Sequence, residues 1–341
     1  MIRRILMTTL LLTPAALHAG DAPKPARPML FAAYYVWYHA GDCPFSGASQ
    51  PLAGLYDSAD PAVAQWHVRL AKAAGIDAFL VSWWDKVKER DQAFEKGVFA
   101  AAEKLGFRIA LLDERAQFHA KREDYEAMLS RTLRKYKDSP AYLRLGGRPV
   151  VYLYQVASQP GLSLTDFAAV KRHVEAEAGP VYWIVDKLAH DSRAQRSGDE
   201  DRVKCIPAEW LAAPGIDSFA FYSTFSHFRA HRYEELAGKY RYVVKLAHDA
   251  GKKMFLPVHP GYDNTHLQTS GYVMPRRNGQ TFRDYLRAAA NAGADYILVT
   301  SWNEWPETTT VEPSSTWPDP YLYLKILAEW KGVSFIAPPL P

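Results

Sequence analysis

Eight short runs of β-branched and aromatic residues punctuate the chain: Leu30–Trp37, Ile76–Trp83, Phe107–Leu112, Pro149–Tyr154, Val181–Val185, Ile216–Tyr222, Met254–Val258 and Tyr296–Ser301. Each is nearly continuous in apolar residues instead of alternating, the pattern of strands buried on both faces. Their starts lie about 30–46 residues apart, room for a strand, a loop and a helix. Helical patterns fill the gaps. Asp60-Pro61 opens one with a cap and a first-turn proline, Val63, Trp66 and Leu70 follow on one face, and Gly75 ends it. Thr281 is expected to open another, with Phe282, Tyr285, Leu286 and Ala289 on one face and Gly293 closing it. Gly75-Ile76-Asp77, Gly215-Ile216-Asp217 and Gly293-Ala294-Asp295 each put Gly, an apolar residue and Asp at a strand start, as a barrel of like units would. These features predict an α/β chain folded as a single (β/α)8 TIM barrel over residues 20–341. The competitor, an open doubly wound sheet, usually needs fewer strands, and no Gly-rich dinucleotide fingerprint follows the first run. Ser192–Lys204, polar and charged, reads as an inserted loop after the fifth strand.

Residues 1–19 stand apart from this pattern. Arg3 and Arg4, the apolar run Ile5–Leu12 and the ending Leu17-His18-Ala19 read as a secretory signal peptide, so the mature chain is expected to be exported, periplasmic or secreted. No later apolar run approaches the roughly 20 residues of a membrane helix. Removing Arg3 and Arg4 takes the formal charge from +4 to +2, and no dense basic stripe suggests nucleic acid. Export would permit a disulfide between the two cysteines, Cys43 and Cys205, although spacing alone does not bring them together. Aromatic residues make up 13% of the chain, with 10 Trp and 20 Tyr; their faces suit sugar rings as well as a bulky core.

Catalytic groups in such barrels sit where strands end at their C-terminal side. Those ends carry Tyr34, Tyr35, Trp37, Trp83, Trp84, Glu114, Tyr154, His259, Tyr262 and, after the eighth strand, Ser301-Trp302-Asn303-Glu304-Trp305-Pro306-Glu307. A ring of Tyr, Trp and carboxylates is the lining expected of a carbohydrate cleft. Glycosidic cleavage needs one carboxyl group to protonate the leaving oxygen and a second as base or nucleophile. Glu304 and Glu307, three residues apart, supply both from one loop, which Pro306 shapes by biasing Trp305 to an extended backbone. Like charges held close would leave one acid and one base near neutral pH. The plain alternative for either glutamate is a helix cap or an ion pair. No cofactor or metal is expected: His227 and His231, four apart, lack a nearby third ligand and read as a solvated face.

The run from Trp302 through Glu307 to Glu312-Pro313 resembles the Asn-Glu-Trp-His-Glu-Gly-Thr…Glu-Pro motif of glycoside hydrolase family 99, the endo-α-mannosidases and endo-α-1,2-mannanases. Tyr34-Tyr35-Val36-Trp37-Tyr38, Ala74-Gly75-Ile76-Asp77 with Ser82-Trp83-Trp84, Pro260-Gly261-Tyr262-Asp263 and Pro275-Arg276-Arg277-Asn278-Gly279-Gln280 resemble other parts of that family. The resemblance implies an unusual retaining mechanism. Glu304 would act as base on the sugar's own 2-hydroxyl, which attacks C1 to give a 1,2-anhydro sugar. Glu307 would protonate the leaving oxygen and then activate water. It also implies a substrate contact at Glu114, and Asn303, Trp305, His259 and Arg276 are further candidate substrate contacts. The alternative for His259 and Arg276 is bracing of their loops. Pro306 and Thr308 depart from the family's His and Gly, and only Glu114 of the third-strand loop aligns with a family carboxylate. The commoner retaining barrels, with glutamates after strands four and seven, are not matched: Tyr154-Gln155 and His259 stand there. The expected partner is an oligo- or polysaccharide. A catalytically inactive carbohydrate-binding barrel, a hydrolase of another bacterial surface polysaccharide and a glycosyl-transferring enzyme are the other readings, and the oligomeric state is not encoded in any pattern.

Overall fold

The computed structural model describes residues 27–39, 49–85, 87–117, 121–154, 162–186, 206–223 and 236–341. The expected leader, Cys43, Cys205, the Ser192–Lys204 insertion, His227 and His231 lie outside the described residues.

All eight apolar runs form strands: β1 Met29–Tyr34, β2 Ala78–Trp83, β3 Ile109–Asp113, β4 Arg148–Leu153, β5 Tyr182–Asp186, β6 Ser218–Ala220, β7 Lys253–Val258 and β8 Tyr296–Val299. Each pairs in parallel with the next, and β1 pairs with β8 (Leu30 opposite Ile297), so the sheet closes on itself. The competing open sheet is thereby excluded. The helical layer comprises α1 Pro61–Ala73, α2 Lys88–Gln92, α3 Arg122–Tyr136, α4 Leu164–Ala178, α5 Ala208–Leu211, α6 Leu236–Asp249, α7 Gln280–Asn291 and α8 Leu322–Lys331. From α2 the chain runs on through a π-helical stretch, Ala93–Phe99, into helical Ala100–Leu105. No helix of the described residues is long and apolar enough to cross a membrane.

Local signals account for the helix ends. Asp60 caps α1 by accepting from the Ala62 amide at 2.8 Å, with Pro61 at the first position. The expected cap of α7 is corrected. Its cap is Gly279 at φ 84°, reached through left-handed Arg277 and Asn278, and Thr281 lies inside the helix with its hydroxyl donating to Pro275 O at 2.6 Å. A tight turn before the helix sets this start, and hydroxyl spacing did not reveal it.

The three Gly-X-Asp junctions do one job. Each glycine takes φ of 76–78°, a left-handed turn that costs glycine nothing. Each aspartate then accepts from the first amides of the preceding strand: Asp77 from Leu30 N (2.7 Å), Asp217 from Trp183 N (2.9 Å) and Asp295 from Met254 N (2.9 Å). Lys331, Arg148 and Lys253 balance their charges. Phe31, Phe255 and Tyr296 pack with centroids 4.4–5.8 Å apart at this same end of the barrel. The opposite end, where the strands finish, is left to the long loops.

Candidate active site

The loop after β8 is built from alternating anchors and presented groups. Trp302, Asn303, Trp305 and Thr308 are buried, whereas Glu304, Pro306 and Glu307 remain partly open to the barrel mouth. Asn303 is clamped to the loop after β1, accepting from Tyr35 N at 2.7 Å and donating to Tyr35 O at 2.9 Å. The Tyr38 hydroxyl donates to Asn303 O at 2.5 Å and accepts from Trp305 N at 3.1 Å. The Trp305 indole donates to Glu312 at 3.0 Å. Thr308 N closes a turn onto Trp305 O at 3.0 Å, with Pro306 at its second position, where its fixed φ is favoured. Thr308 itself takes φ 55°, a conformation that favours glycine, and its hydroxyl donates to Asp263 O at 2.9 Å. This strained position is where related motifs carry glycine.

Glu304 and Glu307 thus share one rigid loop. The Glu304 amide is held by Ser301 Oγ at 2.7 Å, and its carboxylate accepts from the Tyr222 hydroxyl at 2.8 Å. The Tyr35 hydroxyl is hydrogen-bonded to that of Tyr222 and bears on Glu304 as well. The Tyr262 hydroxyl reaches Glu307 at 3.5 Å. Burial, then the charge of Glu307, pushes the Glu304 pKa well above the usual carboxylate range, against the pull of the tyrosine donors. Burial raises Glu307 as well. Two such carboxyls titrate as a pair.

Other groups complete the mouth. Glu114, after β3, accepts from Ser82 Oγ at 3.0 Å, and the Trp84 indole donates to the same hydroxyl at 3.0 Å. Trp37 stacks on Tyr35 with centroids 4.3 Å apart, and Tyr154 meets Tyr222 edge-on at 5.1 Å. Tyr262 stacks on Tyr272 at 4.9 Å. Glu304, Glu307, Tyr35, Trp37, Trp84, Glu114, Tyr154 and Tyr262 therefore converge on one opening.

Six other residues expected to touch substrate do not line it. Successive strand residues point to opposite faces, so Tyr34 and Trp83 face the helices. Tyr34 bonds His67 of α1 at 3.0 Å, and Trp83 packs on Phe94 at 5.0 Å. Asn303 and Trp305 are spent on anchoring the loop. His259 is wholly buried, 3.2 Å from Thr300 O and edge-on to Tyr285 at 5.0 Å; burial lowers its pKa to about 3. Arg276 lies between the Trp317 and Tyr323 rings, 4.7 Å from each, and donates to Thr308 O (2.7 Å) and Thr310 O (2.9 Å). It braces the loop after β8 from behind.

Sequence reasoning missed Tyr222, although it ends the sixth apolar run as Tyr154 ends the fourth. Asp186, at the end of β5 and bonded by Tyr152 at 3.3 Å, was missed likewise. Behind the loop, Glu312 of the motif accepts from Tyr56 at 2.8 Å and meets His67 at 3.1 Å, buried partners to which no sequence pattern pointed. No local pattern marks His67, which is an interior helix residue.

The chain is thus a closed (β/α)8 barrel that presents two glutamates on the loop after its eighth strand. The model of the family described as Glycosyltransferase WbsX matches residues 111–325, more than half of the chain, and the chain belongs to that family. The glycosyl hydrolase family 99 model matches residues 30–164. The human glycoprotein endo-α-1,2-mannosidase-like protein is 24% identical across 89% of this chain and 68% of its own length. The mouse glycoprotein endo-α-1,2-mannosidase is 23% identical across 82% of this chain and 62% of its length, so the chain spans about two thirds of these relatives. The family 99 endo-α-mannosidase of Bacteroides thetaiotaomicron superposes with a TM-score of 0.72 at 20% identity, covering 89% of this chain and 97% of that one. At that identity the superposition speaks for the fold.

Proposed function

We propose that the chain is an exported, retaining glycoside hydrolase acting within α-mannosidic glycans through a 1,2-anhydro sugar. The observation that carries this reading is the presentation of Glu304 and Glu307 on one anchored loop, with a tyrosine hydroxyl aimed at Glu304. The names of the human, mouse and Bacteroides relatives supply the sugar and the internal mode of cleavage.

The chemistry follows from the pair carrying one proton. Desolvation favours that proton on Glu304, whereas the Tyr222 donor favours the carboxylate there. A substrate 2-hydroxyl would add a second donor to Glu304 and shift the proton to Glu307. Glu304 then takes the 2-hydroxyl proton as O2 attacks C1, and the bond from C1 to the leaving oxygen breaks as Glu307 protonates that oxygen. In the second step Glu307 deprotonates water, which attacks C1; the C1–O2 bond opens and Glu304 returns its proton to O2. Two inversions at C1 give net retention. No protein nucleophile is required.

The test is incubation of the mature protein with α-mannans and with yeast and bacterial glycans, with NMR of the first anomer released. Released oligosaccharides of retained configuration support the reading. Inverted product would overturn the mechanism, and tight binding without release would favour a carbohydrate-binding barrel. The transferase description of the chain's own family motivates a second reading. A sugar hydroxyl replacing water in the second step would make the same site a transglycosylase, detected as lengthened products when acceptor oligosaccharide is added. Export is tested by the N-terminus of the protein recovered from the periplasm or medium, expected near Gly20.

A further inference from the structure

The rim of the cleft holds a cation that the two-glutamate mechanism does not use. Arg90, on the short helix α2 beyond β2, places its guanidinium carbon 4.8 Å from the Trp84 ring centroid and 5.6 Å from that of Trp37. Both indoles are fixed on the cleft side. Trp84 is tied through Ser82 to Glu114, and Trp37 is stacked on Tyr35, whose hydroxyl bonds Tyr222 and so leads to Glu304. Arg90 thus stands on the same arc of side chains as the catalytic loop.

Its partners differ from those of several arginines of the helical layer. Arg131, Arg134, Arg283 and Arg287 each rest on a carboxylate within 2.6–3.1 Å. Arg90 is held by ring faces, and among the described residues no hydrogen bond or ion pair occupies its N–H groups. Burial and Glu114 are what act on its charge. A guanidinium stacked on aromatic faces keeps its in-plane fork of N–H groups free for an incoming acceptor. Beside the carboxylates Glu114, Glu304 and Glu307, a half-buried guanidinium with its fork unoccupied among the described residues is the feature that would single out an anion.

We propose that Arg90, with Trp37 and Trp84, forms an outer sugar subsite that selects glycans bearing an anionic group, a carboxylate or a phosphate or sulfate ester. The indole faces hold the guanidinium in place, and its fork would take the anion in the bidentate geometry that suits both carboxylate and phosphate. This rests on the hydrolase reading for its catalytic consequence, but the binding it describes stands without turnover.

The experiment therefore has two arms. In the first, calorimetry measures binding of a uronic-acid-containing mannooligosaccharide, its carboxyl-reduced counterpart and a phosphomannan oligosaccharide to wild type, Arg90→Gln and Arg90→Lys. Wild type is expected to favour the acidic ligands over the reduced one by about 10–100-fold. Arg90→Gln should remove most of that ratio, and Arg90→Lys should keep the charge but lose the fork. The ratio of uronate to phosphate binding identifies the preferred anion. Raising the salt should shrink the preference. Equal binding of acidic and reduced ligands by wild type, or an unchanged ratio in Arg90→Gln, would overturn the proposal. The second arm repeats the comparison as kcat/KM. If no glycan is cleaved while the acidic preference persists in the first arm, the hydrolase reading fails and the subsite stands.

Discussion

His67 Nε2 lies 3.1 Å from Glu312 Oε1, and both side chains are wholly removed from solvent. The other Glu312 oxygen accepts from Tyr56 at 2.8 Å and from the Trp305 indole at 3.0 Å. This contact ties α1 to the loop that presents the two glutamates, so it sets where they point without touching substrate. Replacing Glu312 by Gln leaves buried donors facing an amide. It is expected to cost about 3 kcal/mol, the scale for breaking a buried polar pair. Denaturant unfolding measures that loss. Since small misplacements of catalytic groups are expensive, kcat should fall more than KM rises. Stability equal to wild type would remove the brace from the account.

The two loop glutamates are expected to fail differently. Glu304→Gln and Glu307→Gln should each lower hydrolysis of natural glycans by roughly 10²–10⁴, the usual worth of an acid or base group, with circular dichroism unchanged. A leaving group that needs no proton separates them. On an activated aryl mannoside, Glu307→Gln should regain much of its first-step rate, whereas Glu304→Gln should not. Recovery of both, or of Glu304→Gln alone, would reverse the proposed roles.

Much of this was legible along the chain, for identifiable reasons. Strands buried on both faces announce themselves as continuous apolar runs, and every one of the eight became a barrel strand. Their ends then located the mouth. What a list of strand ends does not encode is which way each side chain points. Tyr34 and Tyr35 are neighbours in sequence, yet one reaches back to α1 and the other forward to Tyr222, because a pleated strand alternates. Nor does residue type separate contact from support. Asn303 and Arg276 look like sugar ligands but are used to hold backbone, and the buried partners His67 and Tyr56 come from distant segments that only folding brings together.

Tyr222 offers a test of how the base is kept ionised. Its hydroxyl donates to Glu304 at 2.8 Å, which stabilises the carboxylate and lowers a pKa that burial has raised. Tyr222→Phe removes the donor and keeps the ring against Tyr154. The Glu304 pKa should then rise further, so a higher pH is needed to form the base. The acid limb of the kcat/KM profile is expected to move upward in pH relative to wild type. A profile that stays in place, or moves down, would mean that Tyr222 does not govern the charge of Glu304.

His259 yields a stability prediction with a definite sign. Burial against Tyr285 disfavours its cation and lowers its pKa from 6.5 to about 3, although the Thr300 carbonyl pulls the other way. Between these values the unfolded chain binds a proton that the folded chain refuses, so folding stability must fall as pH drops through this window. Each pH unit there corresponds to about 1.4 kcal/mol for a single site. Other buried groups titrate nearby with the opposite sense. Asp113, pushed up to about 6 by burial, takes its proton more readily in the folded state, so its contribution is lost as pH rises. Comparison with a variant isolates the histidine from this background. His259→Phe keeps a ring against Tyr285 and cannot titrate. Its stability relative to wild type should improve steadily as pH falls from about 6.5 toward 4, whatever its offset at neutral pH, as read from urea unfolding at each pH. Parallel profiles for the two proteins would show that His259 is free to take up its proton in the folded state.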